Sequence, residues 1–161
     1  MQPKSLETKM EFILSNKPVL VGLHLGFAIL GIDFLLWLLG ELIAKSVSFS
    51  RMRLVAWGAF LGFFLSWLIG GYYYVKYYGP LVKPAIKASS TPWAHTVIME
   101  AKEHIFLFLI PMALTILLGA YFNSKENNLN SQFKMLVGLT AAFGLLIGLM
   151  GFIISAAARW A

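Results

Sequence analysis

The chain has 161 residues, 59% of them hydrophobic and 12% charged, with a net charge of +6. Soluble domains carry about a quarter charged residues, so this composition is that of a membrane protein. No basic cluster is backed by a soluble module, so a nucleic-acid partner is excluded, and the lack of cysteine excludes disulfides, thiolate metal sites, Cys-x-x-Cys-His haem attachment and cysteine-ligated clusters.

The first 17 residues carry Glu7 and Glu11 and no short apolar stretch with a cleavage site, so no secretory leader is expected. Leu6, Met10, Ile13 and Leu14 follow helical spacing and predict a short amphipathic helix lying on the membrane surface.

The first span is expected over about 18–44, with Pro18 pre-setting its first turn. It is apolar through Gly40 except for His24 and Asp33. His24 stands six residues in, about 9 Å deep. Asp33 stands near the bilayer centre, where a charge costs at least about 2.5 kcal/mol. It lies about 180° around the helix from His24. Asp33 is then a protonated, hydrogen-bonded side chain, a member of a proton path that Glu41 extends toward the far side, or a contact to a partner subunit.

The second span is expected over about 52–78, with no charge from Leu54 to Val75. Gly58, Gly62, Ser66 and Gly70 recur every four residues, as do Gly22 with Gly26 and Gly144 with Gly148. Small residues at this spacing let helices approach closely in lipid. The stretch "GGYYYVKYYGP" at 70–80 reads as an aromatic belt, or as a surface offering hydroxyl donors to a quinone or a haem propionate. Gly79-Pro80 is expected to end the helix.

The third span is expected over about 92–122, with Thr91 as N-cap and Pro92 in the first helical position. The stretch "WAHTVIMEAKEH" at 93–104 sets ionisable groups against the uncharged run from Ile105 to Phe122. His104 is expected at the depth of His24, on a helix running the same way. Glu100 precedes it by one turn and shares its face. His95 stands about 180° from His104 and is expected at the headgroups, or near a quinone or partner protein. Trp93 reads as a belt residue. The polar turn "SKENNLNS" at 124–131 leads to the fourth span, over about 131–159, uncharged from Met135 to Ala158.

Each uncharged block has about 18–24 residues, enough to cross a hydrocarbon core of about 30 Å. In lipid the backbone must satisfy its own hydrogen bonds, so the blocks are helices. Short connections predict an all-α integral membrane protein, a single domain over 1–161, with four transmembrane helices in an up-down bundle. Both termini and the 76–104 connection then share one side. That side holds Lys4, Lys9, Lys17, Lys76, Lys83, Lys87, Lys102 and Arg159; the other holds Lys45, Arg51, Arg53, Lys125 and Lys134. The excess places the termini in the cytoplasm. A prokaryotic inner membrane is the expected location.

Two imidazoles at one depth across a bundle core suit a b-type haem, with His24 and His104 as axial ligands. Tyr74, Lys76, Lys83, Lys87 and Lys102 would meet its propionates, and Glu100 would satisfy His104. His24, Glu100 and His104, with Glu103, suit iron, zinc or copper in a nitrogen and oxygen set. The expectation is an electron-transfer subunit exchanging electrons with a quinone or with a partner protein on the 76–104 face. Two alternatives stand beside it: a non-catalytic subunit of a larger respiratory or photosynthetic membrane complex, and a small proton or metal-ion transporter using Asp33, His24 and Glu100. No hydrolase motif is present.

Overall fold

A computed structural model shows an all-helical chain and describes residues 4–46, 48–126 and 131–161. Among the described residues there is no strand. The helices are α1 (Lys4–Ser15), α2 (Lys17–Ala44), α3 (Phe49–Tyr73), α4 (Lys83–Ala88), α5 (Glu100–Glu126) and α6 (Ser131–Trp160). Two wider, π-helical stretches join them, Tyr74–Val82 before α4 and Ala94–Met99 before α5.

Four helical runs are long and apolar enough to cross a membrane: Lys17–Ala44, Phe49–Ala88, Ala94–Phe122 and Ser131–Trp160. They are compatible with an integral membrane protein in contact with lipid.

Local chemistry explains the boundaries. Asn16 is extended, and its side chain accepts from the Val19 N–H at 3.3 Å, with Pro18 in the first turn of α2. At the other end Lys45 adopts the left-handed conformation at φ 54°, and its N–H returns to the Glu41 carbonyl. Arg51, at the start of α3, then meets Glu41 at 2.9 Å and also donates to the Ser46 carbonyl. This clamp is half exposed on the Arg51 side, where ion pairs contribute little. Arg51→Ala is expected to lower stability by no more than about 1 kcal/mol, read as the midpoint of unfolding in mild detergent.

The second span runs further than its sequence suggests. Gly79-Pro80 does not end it. Proline lacks an N–H and crowds the carbonyl four residues back, which breaks a regular α-helix. Here Pro80 sits inside the π-helical stretch Tyr74–Val82, whose wider turn takes that position out of the α-helical ladder. The chain keeps turning through α4 to Ala88. The third helical run does begin near its expected place, since the N–H groups of His95 and Thr96 both return to the Pro92 carbonyl. The Thr91 hydroxyl is not its cap; it pairs with Ser89. The turn expected at 124–131 lies partly outside the described residues, and α5 continues to Glu126.

Packing follows the small residues of α3. Phe34 lies on Gly58, the Gly31 backbone on Gly62, and His24 on Ser66 and Gly70. The paired positions descend on one helix as they rise on the other, so α2 and α3 run in opposite directions. α2 packs on α3 and α6, and α5 packs on α3 and α6, which sets α2 and α5 at opposite corners. Between the four lies an apolar core of Leu35, Leu38, Phe63, Ile116 and Val137 with their neighbours. A second, smaller core of Tyr78, Ile86, Ala94, Met99, Ile154 and Ala157 gathers the 74–99 connection against the end of α6.

Candidate functional site

Two polar features stand out from this apolar frame. The first is a cluster where the 74–104 segment closes one end of the bundle. The wide turns at Tyr74–Val82 and Ala94–Met99 face each other there, and such turns occur often at functional sites. His95 is only 2% exposed. Its Nδ1 lies 3.0 Å from the Tyr78 hydroxyl, and the two rings meet at 5.9 Å. Its Nε2 is buried without a partner. Tyr74 stacks on Tyr78 at 5.3 Å, with the Glu103 carboxylate within electrostatic reach. One oxygen of Glu103 is also buried without a partner. Lys83 and Lys87 lie within electrostatic reach of His95. Buried polar atoms are nearly always satisfied, so these two orphans mark room for ordered water or for a ligand atom.

His24 stands apart from this cluster, on the α2–α3 seam. Its Nδ1 lies 2.8 Å from the Ser66 carbonyl and 2.9 Å from the Ser66 hydroxyl, which in turn reaches the His24 carbonyl at 2.9 Å. Its ring also fills the space above Gly70. Lys102 comes within electrostatic reach of it from α5, beside Gly151 of α6.

His104 takes a different direction. On α5 the buried stripe is Leu109, Ala113, Ile116 and Ala120. His104 lies off that stripe with exposed Phe108, Leu118 and Phe122. It is exposed, and its Nδ1 lies 2.6 Å from the carbonyl of Glu100, itself exposed. His24 thus turns to α3 and His104 turns outward from α5. The structure does not bring the two imidazoles together. For a shared haem or metal the donor set fits poorly, and among the described residues no group of three or more His, Asp or Glu side chains is placed to hold a metal ion. Lys76 is exposed on a cleft of about 450 Å³ that it shares with Met10, Glu11, Leu14, Tyr72 and Tyr77. Lys83 and Tyr74 belong to the His95 cluster.

The second feature is Asp33. It is exposed on the outer face of α2, and among the described residues nothing pairs with it. Glu41 does not continue from it. Its carboxylate is held by Arg51 and by the Trp37 indole N–H at 3.0 Å. Around Asp33 the α2 face is open. A Cβ added at Gly22, Gly26 or Gly40 would meet nothing within 4 Å. A groove of about 360 Å³ runs along Gly22, Gly26 and Ile29. The repeated glycines of α3 are therefore a used seam, and those of α2 are a vacant one.

His95 was expected at the headgroups on grounds of depth; what that reading did not anticipate is that its side chain is buried within the protein. A signal exists: 95, 102, 109, 113, 116 and 120 share helical phase, and the last four are core. The chain matches no family model, no curated protein and no solved structure.

Proposed function

We propose that this protein is a non-catalytic subunit of a larger membrane assembly, a four-helix up-down bundle that another transmembrane chain joins on the outer face of α2. The observation that carries the reading is Asp33. Ionisable residues within spans nearly always face a bundle interior or a partner, because lipid solvates them badly. Asp33 faces neither within this chain. It stands on a face whose open glycines suit close helix approach.

Transport is less well supported. The His95 cluster lies at one end and the Glu41–Arg51 pair at the other, and the apolar core of Leu35, Phe63, Ile116 and Val137 separates them. The electron-carrier reading needs His24 and His104 to share one guest, and their present partners give it no support. In this proposal α1 lies along the membrane surface, held by the Tyr77 hydroxyl, which donates to the Leu14 carbonyl at 3.0 Å.

Site-directed photocrosslinking in the native membrane tests the reading. A photoreactive side chain at Leu30, half exposed on α2, is expected to join one companion chain at constant stoichiometry. The same group at Leu118, equally exposed on α5, is expected to capture lipid. Lipid capture at both positions, with a single-chain species in mild detergent, rejects the proposal.

A further inference from the structure

We infer that the occupant of the α2 face is a transmembrane helix of a different protein carrying one lysine or arginine near its middle, paired with Asp33. The inference rests on the subunit reading above and names the chemistry of its partner.

Depth comes first. Asp33 is 16 residues from Lys17 at the start of α2 and 12 from Lys45 at its end, about 24 Å and 18 Å along the helix. Neither end is within reach of its short side chain, so headgroups and water cannot solvate the carboxylate from the membrane surface. Only a group at the same depth can.

The second step asks which group. This chain offers no cation there. Leu54 to Val75, Ile105 to Phe122 and Met135 to Ala158 hold no charge at all. A second copy docked in parallel would bring another Asp33 and set two carboxylates together, which disfavours the charged form of both. A cation from a different chain neutralises Asp33 directly, and opposite charges attract most strongly where water is absent. The pair then also explains why an acidic side chain is carried on an outward face.

Shape agrees with this choice. Gly22, Gly26, Ile29, Asp33 and Gly40 fall on one stripe, and the glycines are open. The groove along Gly22 and Gly26 accepts apolar side chains of the incoming helix on one side of Asp33. Gly40 lets its backbone come close on the other side. A lysine stem lying along this stripe keeps its methylenes in apolar surroundings and delivers only its ammonium to the carboxylate.

The test uses the full-length protein, donor-labelled, in phosphatidylcholine vesicles with acceptor-labelled synthetic helices of leucine and alanine. One helix carries a single central lysine and the other none. Energy transfer is expected to show the lysine helix binding about tenfold more tightly, a difference of about 1.4 kcal/mol. Asp33→Asn and Asp33→Leu are each expected to erase that difference. Gly26→Ile is expected to weaken binding of the lysine helix while leaving the fold intact, because among the described residues nothing lies within 4 Å of a Cβ at that position. Equal binding of both helices overturns the inference. Energy transfer between two labelled copies of the chain that Asp33→Leu abolishes also overturns it, because the occupant is then a second copy. Its failure is separable from that of the subunit reading. A companion crosslinked at Leu30 whose assembly survives Asp33→Leu removes the cation and leaves the subunit.

Discussion

Gly62→Val is expected to separate α2 from α3 and to cost the protein more stability than any other single change on that seam. A Cβ at Gly62 would stand 2.8 Å from the Gly31 nitrogen and 2.9 Å from both the Gly31 Cα and the Phe27 carbonyl. All three are backbone atoms of a rigid helix and cannot rotate aside. Helix propensity works the other way, since glycine is worse than most residues by up to about 1 kcal/mol. Overpacking a core costs about 1–3 kcal/mol even where side chains can adjust, and here they cannot. The clash therefore wins, and the net loss is expected to exceed about 2 kcal/mol. At Gly58 the obstruction is the Phe34 ring, which can swing, so Gly58→Ala is expected to cost less. Gly22→Val supplies the control, with nothing within 4 Å of its Cβ position. Unfolding midpoints in mild detergent check the order. Equal midpoints for Gly62→Val and Gly22→Val would show that the α2–α3 seam does not hold the bundle.

The second large effect is expected at the Tyr78–His95 pair. Tyr78→Phe removes the hydrogen bond to the His95 ring, and leaves a buried imidazole with both ring nitrogens unsatisfied. Such a loss costs about 1–3 kcal/mol. His95→Leu leaves the Tyr78 hydroxyl alone but also removes Nε2, which already lacks a partner. It is expected to cost less. The double variant is expected to fall well short of the sum, since replacing both partners by apolar groups is nearly neutral. Denaturation of the four proteins closes the double-mutant cycle. Strict additivity would mean that the hydroxyl and the ring do not communicate, and would remove the cluster from consideration as a connected site.

How much of this was legible in the residues depends on which coordinate is asked for. Position along each helix is written plainly. The uncharged blocks from Leu54, Ile105 and Met135 mark three of the spans, and Pro18 and Pro92 mark two starts. Rotation about each helix is not. A helix such as α5 is apolar on its lipid side as well as its core side, so hydrophobic periodicity does not say which face is inside. His24 and His104 were therefore expected to meet on grounds of depth, while their azimuths send one to α3 and the other outward. Depth alone likewise left the azimuth of His95 open, and its ring turns onto Tyr78. Spacing has a similar limit. The four-residue repeat of Gly58, Gly62, Ser66 and Gly70 finds its partner in α2, and the same repeat at Gly22 and Gly26 finds none. A pattern of small residues states what a helix can accept and leaves open who accepts it. Pro80 was read as a stop because the wider turn that carries it has no sequence signature of its own.

The dry layer of Leu35, Leu38, Phe63, Ile116 and Val137 has an electrical meaning. In a bilayer most of a transmembrane voltage would drop across it, because the only buried hydroxyls beside it among the described residues, Thr140 and Ser66, are tied to the Leu136 and His24 carbonyls. His95, Glu103 and Lys102 then share the potential and the acidity of the single compartment nearest to them. In the proposed assembly, this bundle would act as insulation beside the chain that docks at Asp33.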